Sequence, residues 1–145
     1  MSLQQRIEAA WNDRSLLEKT ETREAVREVI GGLDAGTLRV AEPLANGVWQ
    51  VNEWIKKAVI LFFPISEMKT MHAGPMEFYD KIPLKSGFEK LGIRVVPHAI
   101  ARYGSYVAPG AILMPSYVNI GAYVDTGTMV AVSYTHLTLP TIYSV

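Results

Sequence analysis

The sequence predicts an α+β domain over residues 1–92 that runs into the first coils of a left-handed parallel β-helix of hexapeptide repeats over 93–130, truncated there. Three observations carry that prediction. Between Ile100 and Val130 a bulky apolar residue recurs every six positions, at Ile100, Tyr106, Ile112, Val118, Val124 and Val130. Four places after each of the first five stands a small residue suited to a tight corner: Gly104, Gly110, Ser116, Ala122 and Thr128. Upstream, apolar residues fall instead at helical spacing, punctuated by glycines and a turn dipeptide. With three hexads to a triangular coil, the repeat run provides roughly two coils.

Leu3, Ile7, Ala10 and Trp11 place an amphipathic helix over residues 2 to 18. A second helix spans Thr22 to Leu33, with Val26, Val29, Ile30 and Leu33 on one face. Thr20 or Thr22 can cap it, Glu21 and Glu24 suit the positive end of its dipole, and Gly31, Gly32 and Gly36 mark its exit. Two strand-like runs, Thr37–Ala41 and Val48–Val51, are joined across Asn46-Gly47, a strong turn signal. A third helix covers Glu53 to Leu61, with Trp54, Ala58, Leu61 and Phe62 on one face. Residues 66–90 read as irregular, broken by Gly74-Pro75, Pro83 and Gly87, and residues 93–99 lead into the hexads.

Composition narrows the function. Apolar residues make up 49% and charged residues 19%, the balance of a globular chain. Fourteen basic residues match fourteen acidic ones, which argues against nucleic acid or a membrane surface as partner. The absence of cysteine excludes disulfides, a thiol nucleophile and thiolate metal sites. The opening MSLQQRIEAAW has no basic and apolar signal regions, and Ala58 to Ile65 is too short to span a bilayer, so a soluble cytoplasmic protein is expected. Past Val130 the rhythm fails: Tyr134 falls where a small corner residue belongs and Pro140 where a strand needs an amide donor. Residues 131–145, AVSYTHLTLPTIYSV, resemble sequencing-adapter DNA read as coding sequence and are read as a non-native tail; a natural C-terminal extension is the alternative.

The hexads alone indicate the broad hexapeptide acyltransferase superfamily. More specific are Thr22-Arg-Glu-Ala-Val, Leu38-Arg-Val-Ala, Trp54-Ile-Lys-Lys-Ala-Val-Ile-Leu, Gly92-Ile-Arg-Val-Val-Pro and the long run from Leu113 to Val130. Together these resemble the N-terminal half of the tetrahydrodipicolinate N-succinyltransferase family, over residues 1–130 in order. The resemblance implies succinyl transfer from succinyl-CoA, a co-substrate rather than a resident cofactor, to an acyclic form of tetrahydrodipicolinate in the diaminopimelate route to lysine. It also implies a cytoplasmic homotrimer with active sites between subunits and no metal.

Carried over residue by residue, the resemblance makes Arg94, in Gly-Ile-Arg-Val-Val-Pro, the arginine that binds the dicarboxylate. On residue type alone, a solvated arginine at the mouth of the first coil is an equal reading. The family's aspartate directly follows Gly-Thr-Met-Val; here that position is Ala131, which cannot accept a proton or bear charge. The coils expected to bind CoA lie beyond Val130. Asp125 reads as a solvent-facing corner residue rather than a substitute.

The remaining candidates have plainer readings. His72, His98 and His136 lack metal-ligand spacing, and His98 reads as an exposed loop residue rather than a base. Lys56 and Lys57 read as a solvated helix face, Trp11, Trp49 and Trp54 as core of the first domain, and Glu21 and Glu24 as helix surface. Two rival functions remain: a non-catalytic module that docks on full-length subunits, and a hexapeptide acyltransferase with another acceptor.

Overall fold

The computed structural model describes residues 1–131. Helix α1, Leu3–Asn12, opens on a capping box: Gln5 donates its backbone N–H to the Ser2 hydroxyl at 3.2 Å, and Ser2 donates its own to Gln5 Oε1 at 2.8 Å. The single helix expected over 2–18 divides at Asp13. There the backbone is extended (φ −130°), and the carboxylate accepts the Ser15 N–H and hydroxyl at 3.0 and 2.7 Å. An aspartate offers the backbone this local alternative to a continued helix, so the chain restarts as a 3-10 turn, Arg14–Glu18. The same two Ser15 donors hold the Asp13 carboxyl below the usual carboxylate range.

Helix α2, Thr20–Ala35, is longer at both ends than its periodicity suggests. Neither threonine caps it: Lys19 occupies that position without a side-chain bond, and Thr22 is buried in the helical core. Gly31 and Gly32 lie inside the helix, and the exit is Gly36 alone, at φ 76°. Glycine is needed there twice over, since a Cβ would also sit 2.6 Å from the Tyr106 ring. Strands β1 (Ala41–Pro43) and β2 (Trp49–Val51) form an antiparallel ribbon across Asn46-Gly47, with β1 starting later than expected. Helix α3, Glu53–Phe62, buries Ile55, Ala58, Leu61 and Phe62 against Ile7, Ala10, Val26, Val29 and Ile30.

Residues 66–90, expected to be irregular, contain a second hairpin, β3 (Lys69–Ala73) and β4 (Met76–Asp80), turning on Gly74-Pro75. Its only half-buried cross-strand pair is Met71 and Phe78. With nearly every other position exposed, the alternation that reveals a half-buried strand is missing from the sequence.

Seven two-residue strands follow: β5 (Arg94–Val95), β6 (Ile100–Ala101), β7 (Tyr106–Val107), β8 (Ile112–Leu113), β9 (Tyr117–Val118), β10 (Tyr123–Val124) and β11 (Met129–Val130). They pair in parallel as three sheets, β5–β8–β11, β6–β9 and β7–β10, an arrangement that fits the start of a β-helix. The expected frame needs correction. The residues facing the coil core are Ala101, Val107, Leu113, Val118 and Val124, while Ile100, Tyr106 and Ile112 turn to the outer face. The corner between β8 and β9, Met114-Pro115-Ser116, has one residue fewer than the other corners, so the inward frame slips there. The left-handed glycines slip with it: Gly104 and Gly110 are corners as expected, but Gly121 and Gly127 serve in place of Ala122 and Thr128. The rhythm also begins earlier, at Arg94.

Leu113 is fully buried among Ile93, Val107, Ala111 and Val118. Leu113→Ala should therefore cost about 2–5 kcal/mol, read as a lowered urea midpoint at unchanged slope.

Candidate functional site

Arg94 opens β5, where its backbone N–H donates to Ala111 O at 3.1 Å. Val95 packs on the coil core, so Arg94 points to the opposite, outer face of its sheet, where it is exposed. Among the described residues its guanidinium makes no hydrogen bond or ion pair. Across the sheet, Arg94 stands level with Ile112 and Met129, and Val95 with Leu113 and Val130.

Ala131 directly follows Val130 and is exposed. Continued one residue past the end of β11, strand alternation would turn it outward, to the side of the sheet that carries Arg94. Two strand spacings across and two residues along separate these positions by about 12 Å between Cα atoms. The long arginine side chain can reach over much of that distance. One side of a small sheet thus offers a cation able to grip a carboxylate bidentately, on an apolar floor of Ile112 and Met129, beside a position filled by a methyl group.

The other candidates fall elsewhere. The Asp125 carboxylate accepts the Thr126 N–H at 2.7 Å and stabilises its corner, as expected. His98 is exposed in the corner after β5, and His72 is exposed on β3, 3.8 Å from Glu77. Residues 132–145, with His136 and most of the expected tail, lie outside the described residues. Lys56 is exposed, but Lys57 is drawn into an ion pair with Glu8 at 2.6 Å that ties α3 to α1, which corrects its reading as a solvated residue. Trp11 and Trp54 pack against the helical core, whereas Trp49 does not: it is 61% exposed. Glu21 and Glu24 are exposed, as expected.

One feature had no signal in the sequence. Asp34, near the end of α2, pairs with Lys85 at 2.7 Å and also accepts the Gly104 N–H at 2.9 Å. The three partners come from segments far apart in the chain. Asp34 and Lys85 border a groove of about 500 Å³ lined also by Ser86, Lys90, Tyr103 and Tyr106. Burial, and secondarily the Asp34 carboxylate, push the Tyr103 phenol above its ordinary pKa. Among the described residues no cluster of three or more His, Asp or Glu could hold a metal ion, and no helix is long and apolar enough to cross a membrane.

Comparison with known proteins finds this chain similar to N-succinyltransferases over most of its length. Residues 2–65 match the family model described as "Tetrahydrodipicolinate N-succinyltransferase N-terminal". Relatives named 2,3,4,5-tetrahydropyridine-2,6-dicarboxylate N-succinyltransferase cover most of the chain. That of Leptothrix cholodnii is 56% identical over 127 residues, 81% of this chain and 46% of its own length. That of Sodalis glossinidius is 48% identical over 139 residues, 89% of this chain and 50% of its own. That of Cupriavidus taiwanensis is 55% identical over 132 residues, 83% of this chain and 48% of its own. The chain spans about half the length of the curated relatives it matches. It is recognised as a counterpart of the N-terminal half of tetrahydrodipicolinate N-succinyltransferases, the family its motifs resemble.

Proposed function

We propose that this chain is the N-terminal part of an enzyme that succinylates the amino group of an acyclic form of tetrahydrodipicolinate, using succinyl-CoA, in the diaminopimelate route to lysine. In this reading residues 1–92 are an α/β cap, residues 93–130 begin a left-handed β-helix and residues 131–145 are a non-native tail. The complete enzyme is a cytoplasmic homotrimer with active sites between subunits, and its CoA-binding coils lie beyond Val130.

The observation that carries this reading is the shared outer face of Arg94 and position 131. In the reaction the neutral amine attacks the thioester carbonyl, a C–N bond forms and the C–S bond breaks. The amine's proton passes to a base, and the CoA sulfur leaves as a thiolate that is then protonated. Arg94 holds one substrate carboxylate. A carboxylate at position 131 would lie within reach of the other end of the substrate, where it could orient the amine or accept its proton. Ala131 can do neither, so the chain as it stands is inactive. A succinyl-transfer assay on the purified 145-residue chain should show no turnover above background; turnover approaching that of a full-length relative would overturn the proposal.

A further inference from the structure

We propose that the exposed apolar ribbon of β1 and β2 is a docking surface for a further coil of the same solenoid, so that the helical domain clasps the coil stack along its axis. This rests on reading residues 94–130 as the first coils of a β-helix. All three residues of β2 are exposed, and Leu44, Val48, Trp49 and Val51 are 40, 57, 61 and 57% exposed. An isolated two-stranded ribbon is marginal in water, and a cluster of large apolar side chains left uncovered marks an interaction surface.

The path of the chain into the ribbon indicates what covers it. Gly36 lies against the ring of Tyr106, in the first coil. Three residues on, the Arg39 guanidinium stacks 3.5 Å over the ring of Tyr123, which pairs in register with Tyr106 one coil later. The two tyrosine rings themselves stack at 4.6 Å. Next, Val40 packs against the corner at Gly121, the second-coil counterpart of Gly104, which itself lies against Ile30 of α2. The chain thus steps from the first coil to the second, and β1 begins at the following residue. Asn52 pins the base of the ribbon there: its N–H donates to Val40 O at 2.8 Å, and its Nδ2 to Arg39 O at 2.9 Å and Glu42 Oε1 at 2.8 Å. The apolar ribbon therefore continues an interface already made with two successive coils. The relatives extend for about as long again as the part matched here, so a next coil is the occupant that this continuity selects.

The test compares hydrogen exchange in the 145-residue chain with that in residues 1–130 joined to the second half of the Leptothrix cholodnii relative. The expected result is that amides of residues 41–51 exchange at least tenfold more slowly in the long chain, that this gain survives dilution to monomer, and that Trp49→Ser abolishes it while β7–β11 stay protected. Protection gained by β7–β11 but not by 41–51 would overturn the proposal and leave the coil reading standing. No gain in β7–β11 would overturn the coil reading and the proposal with it. A gain in 41–51 lost on dilution would assign the face to a neighbouring copy and overturn the proposal.

Discussion

Ala131→Asp, introduced into residues 1–131 continued by the second half of a relative, is expected to raise succinyl transfer about 10²–10⁴-fold over the same chain with alanine, the range for a positioned general acid–base group. The expectation follows from register rather than from proximity in sequence. Position 131 and Arg94 are thirty-seven residues apart, yet the pairing of β5, β8 and β11 sets Val130, the residue before position 131, level with Val95, the residue after Arg94. A carboxylate there stands across the sheet from a guanidinium, so a dicarboxylate gripped by Arg94 presents its far end to it. In the same background, Arg94→Ala should lower kcat/KM by about 10- to 150-fold, the equivalent of one charge-assisted contact of roughly 1.5–3 kcal/mol. Equal rates with alanine and aspartate at position 131 would remove this residue from the chemistry. An unchanged kcat/KM for Arg94→Ala would return that arginine to the plain solvated reading.

The helices were legible in the sequence because their apolar spacing is long and regular, and the packing of Val26, Val29, Ile30, Ala58 and Leu61 follows it. The coil repeat was legible in period but not in phase. Val118, Val124 and Val130 are truly six apart and inward, and projecting that frame backward lands on Ile100, Tyr106 and Ile112, which are bulky but outward. The shortened corner at Met114-Pro115-Ser116 has no signature that spacing alone could read. Ala101, the true inward residue, is too small to register as a core position. Trp49 failed for a related reason: hydrophobicity predicts burial only where there is a surface to bury against, and the described chain provides none for β2. Position 131 enters the proposal only through the family motif, since no physical rule singles out an alanine as a site position.

The second large effect is expected at the junction of helices and coils. Asp34→Ala should destabilise the chain by about 1–3 kcal/mol, the range for leaving a largely buried polar group without its partner. The Lys85 side chain is only 7% exposed, and its Nζ would keep its charge with no carboxylate 2.7 Å away. The Gly104 N–H would lose its acceptor at the same time. The segment carrying Lys85 is held between the two halves, since its own N–H donates to Ala101 O at 2.8 Å and Tyr103 N–H donates to Pro83 O at 2.8 Å. Loosening Asp34 therefore frees the corner that leads into β7 as well as the end of α2. Asp34→Asn combined with Lys85→Met provides the control. The amide oxygen retains the Gly104 bond, the methionine fills the space of the lysine stem, and no buried charge is left over, so the double variant should fall within about 1 kcal/mol of the parent. Urea unfolding of both variants checks this. A cost below about 1 kcal/mol for Asp34→Ala would mean that Lys85 finds water on losing its partner, and that packing at Tyr103, Gly104 and Ile120 alone sets how the helices sit on the coils.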